Sequence, residues 1–268
     1  MQHNSRLFIE KQLDEEKLFV VAESYALDSL LSQLDSLHPD HALLLPATTE
    51  GLCGVAIGLA LSGKKVLLQL HDTSALAELN SQLQAAHFGS EFPLPILIRI
   101  PISPSDRPTS LIDSHPRLTA WVGGGSLVEQ LLSSGITKPT VLFELPDSSL
   151  QESETVKSVE LQTEGEHLSI YTSMLNRQEA VEALHLLRSE GVTADLIVLN
   201  QMSDISASAQ LLMGQSCNKT GRPIFVDIPQ ALVANLYDKS FWRLESKPVH
   251  LSKVTSARIY QAAQEIIL

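Results

Sequence analysis

Three residues with the capacity for chemistry stand just after predicted strands. Thr49 and Glu50 follow the apolar run 42–45 and open a predicted helix, and His71 follows the apolar run 65–70. A carboxylate can exchange a proton with a reacting group, whereas a threonine hydroxyl can accept a hydrogen bond but does not exchange a proton near neutral pH. Of the two helix residues, Glu50 is the one whose side chain could act as a proton-exchanging acid or base, while Thr49 and His71 could accept or donate hydrogen bonds.

The same residues also have plainer structural interpretations, which stay open at this point. Glu50 lies in the first turn of its helix, where the helix dipole favours a negative charge. A single histidine at the end of a strand, such as His71, is commonly a solvated loop residue. The segment 122–126, with the sequence VGGGS, could bind a phosphate on its backbone N–H groups or could simply be a tight turn.

Several kinds of site are excluded because their motifs are absent. The sequence has no GxSxG, HExxH or Walker A pattern. Its nine histidines are scattered, with no pair four residues apart on one helix, so no metal site is predicted. Cys53 and Cys217 lie too far apart in sequence for a CxxC pair and indicate a reducing compartment.

The charge of the chain argues against two classes of partner. A net charge of −12 and an isoelectric point near 5.1 would repel nucleic acid and anionic membranes. The N-terminal segment is charged throughout and lacks the apolar core of a signal peptide. No apolar run approaches the roughly 18 residues of a membrane-spanning helix. We therefore expect a cytoplasmic protein without a nucleic-acid or membrane partner.

The elements that must position these residues follow an alternating order. Short apolar runs alternate with amphipathic stretches of helical length, which indicates an α/β fold with mostly parallel sheets. Strands are predicted at 42–45, 65–70, 95–100, 119–122, 140–145, 167–172, 194–199, 223–228 and around Val249. Helices are predicted at 50–61, 74–86, 127–132, 177–190, 207–214, 230–238 and 256–267.

A polar, acidic and serine-rich stretch interrupts this alternation and divides the chain. We predict a first domain over residues 1–147, a linker over 148–166 and a second domain over 167–268. Each domain is expected to be a mostly parallel sheet flanked by helices.

Two segments carry a resemblance to a known family. TTEGLCGVAIGLALSGKKVLLQL, at 48–70, resembles the pyrimidine-binding domain of thiamine diphosphate enzymes such as transketolases and the β-subunits of 2-oxo acid dehydrogenase decarboxylase components. The segment 167–205 resembles the transketolase C-terminal domain, and RPIFVDI at 222–228 is similar to its next strand. The resemblance covers nearly the whole chain in the same order. It implies a pyrimidine-binding domain followed by a transketolase C-terminal domain.

The resemblance also implies where a cofactor would bind. In the family a carboxylate two positions before the first helix glycine bonds the pyrimidine and drives formation of its imino tautomer. Counting back from Gly51, that position is Thr49, and Glu50 is its neighbour. The family places an aromatic ring for stacking just after the next strand. Here the segment between Val66 and His87 offers only His71 in that role. The resemblance therefore implies Glu50 as the candidate catalytic residue and Thr49, Glu50 and His71 as the candidate cofactor-binding residues.

Two further family features are missing or altered. The Gly-Asp-Gly motif that holds Mg²⁺ and the diphosphate is absent, which a β-type subunit tolerates when a partner chain supplies it. The loop that carries a catalytic histidine in the family falls within 101–116, where His115 stands too late to match.

The sequence thus leaves two hypotheses of function. In the first, the chain is the β-type subunit of a thiamine diphosphate-dependent 2-oxo acid dehydrogenase or transketolase-like enzyme, inactive alone. It would form a homodimer or a heterotetramer with an α-type chain that supplies the Mg²⁺ site. In the second, the chain is a pseudoenzyme that has lost the cofactor and acts as a scaffold or interaction subunit.

Overall fold

The chain forms two compact units, each built around one sheet. The computed structural model describes residues 3–15, 17–23, 38–45, 48–89, 93–103, 106–114, 118–146, 157–252 and 254–267. The first unit comprises residues 1–108 and 117–156, and the second comprises 109–116 and 157–268. Among the described residues, no helix has the length and apolar content needed to cross a membrane.

The described strands of the first unit form one parallel sheet with helices on both faces. In chain order its elements are α1 (His3–Asp14), β1 (Leu18–Glu23), β2 (Ala42–Leu45), α2 (Thr49–Leu61), β3 (Lys65–Gln69), α3 (Ser74–Gly89), β4 (Ile96–Pro101), β5 (Thr119–Gly123), α5 (Ser126–Ser133) and β6 (Thr140–Glu144). The six strands lie in the order β2-β1-β3-β4-β6-β5, and every pairing is parallel. Most residues of these strands are apolar, without a regular alternation of polar and apolar positions, because helices cover both faces of the sheet.

Side chains of β1 show how the two faces divide. Leu18, Val20 and Ala22 join a buried cluster with α1 and α5. Successive side chains of a strand point to opposite faces, so Val21 and Glu23 belong to the other face. On that face α2 packs against β1, β3 and α3. The first turn of α2 is thereby brought to the end of β1.

The second unit is a mixed sheet that is also covered on both faces. Its elements are α4 (Pro108–Ser114), β7 (Val159–Thr163), β8 (Leu168–Ser173), α6 (Arg177–Ser189), β9 (Ala194–Leu199), α7 (Ala207–Thr220), β10 (Pro223–Val226), α8 (Gln230–Ser240), β11 (Val249–Leu251) and α9 (Ser256–Ile267). The strand order is β11-β10-β8-β9-β7, with β7 antiparallel to β9 and the other pairings parallel. A buried cluster joins α6 and α9 to one face of this sheet.

The α/β fold in two units matches the fold class predicted from the sequence, and four elements were not anticipated. The sequence analysis did not identify α1, β1 or α4, and it assigned the range that contains β7 to a linker. The structure corrects that range, because Val159 to Thr163 pair with β9. Helix α4 bonds residues of the second unit, since Thr109 Oγ1 donates to Asp227 Oδ1 at 2.7 Å and Gln230 N donates to Asp113 Oδ1 at 2.9 Å.

Candidate functional site

Glu23, the last residue of β1, is the centre of the candidate site. The carboxyl ends of parallel strands meet at one edge of a sheet, where ligands of α/β proteins bind. Thr49, at the start of α2, and His71, two residues beyond β3, lie at the same edge. We call Glu23, Thr49, His71 and Asp72 the edge cluster.

Glu23 is buried and bound unequally at its two oxygens. Only 8% of the residue is exposed. Its Oε2 lies 2.7 Å from Nδ1 of His71, whereas its Oε1 accepts from Thr49 Oγ1 at 3.4 Å. A bond of 3.4 Å between oxygens is long and weak. Oε1 therefore keeps most of its capacity to accept a stronger donor.

Asp72 fixes the far side of the His71 ring. Asp72 Oδ2 lies 2.9 Å from Nε2 of His71. Its Oδ1 accepts from the Ser74 hydroxyl at 2.5 Å, from Ser74 N at 2.8 Å and from Ala75 N at 3.3 Å, so it caps the start of α3. The hydroxyl of Ser74 and then these backbone groups lower the pKa of Asp72, against the opposing effect of burial. The imidazole ring is thus held between two carboxylates, although about half of its surface remains exposed.

The first turn of α2 points Thr49 and Glu50 in different directions, which the sequence alone could not establish. Thr49 is half-buried and faces Glu23, while Glu50 is exposed. Neighbouring residues of a helix differ by about 100° in direction, so only one of the two can face the edge cluster. Within the described chain Glu50 has no hydrogen bond or ion pair, and its placement matches the helix-dipole interpretation.

Thr48 is the N-cap of this helix, and removing its hydroxyl should lower the stability of the chain. Its hydroxyl accepts from Gly51 N at 3.3 Å, as an N-cap does. We expect Thr48→Ala to lower the free energy of unfolding by about 1 kcal/mol, because one N–H of the first turn loses its acceptor. Thr48→Ser keeps the acceptor and is the control. Chemical denaturation that shows equal stability for Thr48→Ala and the native chain would contradict a stabilising cap.

A second polar group lies at the same edge, on the opposite face of the sheet. Arg99 Nη2 lies 2.5 Å from Glu144 Oε2, and Arg99 Nη1 donates to Gln69 Oε1 at 2.7 Å. All three residues are buried. Because Gln69 pairs with Arg99 in register and Glu144 lies on the adjacent strand, the group links β3, β4 and β6. These bonds hold the three strands together at the edge of the sheet where the candidate site lies.

The remaining candidates from the sequence have no part in the described site. His115 lies outside the described residues. Gly123, Gly124 and Gly125 are buried between β5 and α5, and a Cβ at Gly123 would come within 2.3 Å of Leu127 Cδ1. This contact supports the tight-turn interpretation of VGGGS. Over the described ranges, no group of three or more histidine, cysteine or acidic side chains could hold a metal ion.

Glu23 and Asp72 are the members of the edge cluster that the sequence analysis missed. Glu23 ends the apolar run LFVVAE, which indicates a buried strand closed by an acid. Asp72 precedes Ser74 by two residues, a spacing typical of a capping aspartate. Both signals are present in the sequence, but neither shows that His71 lies between these two carboxylates.

Comparison with known proteins gives a clear result for the fold. No model of a protein family matches the sequence, and no curated protein matches it with significant similarity. A solved split-gene transketolase, described as an inactive β4 tetramer, superposes with a TM-score of 0.78 at 16% identity, over 98% of this chain and 96% of that one.

Two other solved enzymes are longer than this chain. The 2-oxoglutarate:ferredoxin oxidoreductase of Magnetococcus marinus has a TM-score of 0.69 and 12% identity, over all of this chain and 65% of its own. A transketolase of Pichia stipitis has a TM-score of 0.61 and 11% identity, over 98% of this chain and 45% of its own. The chain therefore has a transketolase-like fold.

Proposed function

We propose that this chain is the β-type subunit of a thiamine diphosphate-dependent 2-oxo acid dehydrogenase or transketolase-like enzyme, and that it needs a partner chain for activity. The observation that carries the proposal is the match to the split-gene transketolase chain over 98% of this chain and 96% of the other. An enzyme divided between two chains leaves each of them without part of the site. A cytoplasmic location belongs to the proposal and is supported by Cys53 and Cys217, which are buried free thiols.

The edge cluster fits the polar side of an aminopyrimidine. Glu23 offers Oε1, which donates when the acid is protonated and accepts when it is ionised, and Thr49 adds a hydroxyl beside it. When bound, thiamine diphosphate supplies a nucleophilic carbon and an electron sink for cleavage next to a carbonyl group. Glu23, Thr49 and His71 would bind and orient the pyrimidine half of this cofactor.

The diphosphate half requires ligands from another chain. The sequence has no Gly-Asp-Gly motif, and the described residues contain no acidic or histidine cluster suited to a metal ion. Mg²⁺ prefers carboxylate and phosphate oxygens. An α-type partner that carries this motif would complete the site, in a heterotetramer of two chains of each kind.

Helix α2 supports an assembly that also contains a second copy of this chain. Gly54 and Gly58 are exposed on α2, and a Cβ at either would meet nothing within 4 Å in the part of the chain that the structure describes. Glycine weakens a helix by about 1 kcal/mol relative to alanine, so the packing of this chain alone does not account for two of them. Small residues allow two backbones to approach closely. The similar split-gene chain forms a β4 tetramer, which makes a second copy the occupant we propose for this face.

One set of observations favours a second candidate function. Thr49 occupies the position of the family's carboxylate, and Glu50 is exposed. The segment between Val66 and His87 has no phenylalanine, tyrosine or tryptophan for stacking. A subunit that keeps the scaffold and has lost the cofactor would show this combination. In that case the chain acts as an interaction subunit.

Calorimetry on the assembled protein distinguishes the two candidates. The tagged chain is purified with an α-type partner that carries Gly-Asp-Gly, and thiamine diphosphate with Mg²⁺ is titrated into the complex. We expect saturable binding of one cofactor for each copy of this chain in the complex. A stable complex that binds no cofactor would contradict the enzyme and favour the scaffold.

A further inference from the structure

We propose that Glu23 has replaced the missing carboxylate at position 49 as the acid that bonds the pyrimidine ring nitrogen, and that His71 positions it. This inference rests on the proposed function and identifies the residue that would do its acid–base work. Glu23 ends strand β1, whereas the position to which the resemblance points, Thr49, begins helix α2. A comparison of sequences at position 49 therefore does not reveal Glu23.

The first step is spatial. Thr49 Oγ1 and Glu23 Oε1 are 3.4 Å apart, so the Glu23 carboxylate lies within one hydrogen-bond length of the side chain at position 49. A carboxylate needed beside position 49 is therefore present, although a neighbouring strand provides it. Glu50 does not place a carboxylate beside Thr49 in the edge cluster, because its side chain is exposed on α2.

The second step concerns the two oxygens of Glu23. Oε2 is bound at 2.7 Å by the His71 ring, while among the described residues Oε1 has only the long contact with Thr49. Oε1 is thus the atom that would exchange a proton with the pyrimidine. With the cofactor bound, a protonated Glu23 would give its proton to the ring nitrogen, which carries no hydrogen in the neutral pyrimidine, and would be left as a carboxylate, so no further reactant would be needed. Once the ring nitrogen holds the proton, it would donate to the Glu23 carboxylate in a charge-assisted bond of about 2.7–2.9 Å, stronger than a threonine hydroxyl at 3.4 Å.

The third step explains why the carboxylate is held in one orientation. His71 is bonded on both ring nitrogens, to Glu23 and to Asp72, and Asp72 is anchored by the backbone at the start of α3. Helix α3 therefore fixes Asp72, Asp72 fixes the ring, and the ring fixes Oε2. A supporting chain of this kind holds an acid in the geometry that its reaction requires. His71 is a positioning residue, since it acts through Glu23.

Substitutions in the complete complex test the role of Glu23. Thiamine diphosphate with Mg²⁺ is titrated by calorimetry into complexes that contain the native chain, Glu23→Gln, Glu50→Gln, or Glu23→Gln combined with Thr49→Glu. We expect Glu23→Gln to raise Kd by about 10- to 100-fold, the range of one hydrogen bond to a charged group. The double variant returns the carboxylate to the helix and should recover most of the affinity. Glu50→Gln is the control and should bind within about twofold of the native chain.

A second pair of variants tests the positioning role of His71. His71→Ala should raise Kd by about 2- to 10-fold, because one bond to Oε2 is lost. His71→Asn places an amide donor near the position of Nδ1 and should recover binding. If His71 has only a structural role, His71→Asn should not recover the affinity for the cofactor, even if it recovers thermal stability.

The outcomes separate this inference from the proposed function. A native complex that binds no cofactor overturns both. A native complex that binds, with Glu23→Gln binding equally well, overturns the role of Glu23 and leaves the proposed function standing. If Glu23→Gln does not fold, Glu23→Asp keeps the charge but withdraws it by one methylene, and an unchanged Kd for this variant overturns the inference.

Discussion

If α2 forms the proposed contact between two copies, replacing Gly58 by leucine is expected to dissociate them while leaving the subunit folded. Gly58 lies on the exposed face of α2, and a Cβ there would meet no atom of the described residues within 4 Å. The leucine side chain therefore has room in the separate subunit, where it also removes the helix penalty of glycine, about 1 kcal/mol. At a close contact between two copies, the same side chain would force the backbones apart.

Sedimentation velocity and thermal unfolding measure the two halves of this expectation. Gly58→Leu should sediment as a smaller species than the native chain, and its subunit should unfold at an equal or higher temperature. Ala257→Leu is the matched control, since Ala257 is exposed on α9 of the second unit and the change adds similar apolar surface to a helix. If Gly58→Leu keeps the native oligomeric state, this face of α2 is not an interface between copies.

Replacing Arg99 by methionine is expected to destabilise the first unit by about 3 kcal/mol or more. The side chains of Arg99 and Glu144 are only 6% and 7% exposed, and they bond each other at 2.5 Å. Removing the guanidinium leaves the Glu144 carboxylate buried without this partner and takes the Nη1 donor from Gln69 Oε1. A buried charge without its counter-charge is among the most destabilising changes in a protein core.

A double replacement distinguishes the lost partner from lost packing. Arg99→Met combined with Glu144→Met removes both charges and fills similar volume, so we expect stability within about 1 kcal/mol of the native chain. Chemical denaturation of the two single variants and the double variant gives the coupling between the residues. If the double variant loses as much as the sum of the single variants, the ion pair does not explain the effect.

The order of the elements was readable from the sequence because buried parallel strands have a strong pattern. Runs such as ILIRIP and ADLIVL are apolar except for one charged residue each, Arg99 and Asp195, and both are strands in the structure. Strand β7, by contrast, has the sequence VELQT at the edge of its sheet. Only one face of such a strand must be apolar, so its composition resembles that of the acidic stretch before it.

The candidate site was less readable because it depends on direction and on distant pairs. Thr49 and Glu50 are neighbours in sequence, and the packing of α2 against β1 decides which one faces the edge cluster. Glu23 meets Thr49 across 26 positions of sequence, and His71 across 48. Local patterns identify such residues as ends of strands, but the pairing of strands brings them together.

The acid beside the cofactor can be observed directly in a crystal structure of the complete complex, grown with thiamine diphosphate and Mg²⁺. We expect the pyrimidine ring at the carboxyl edge of the first sheet, with a ring nitrogen about 3 Å from Glu23 Oε1 and the His71 ring still bonded to Oε2. A pyrimidine bonded to Glu50 instead, or a complex whose edge cluster stays free of cofactor at saturating concentration, would contradict the assignment of this site.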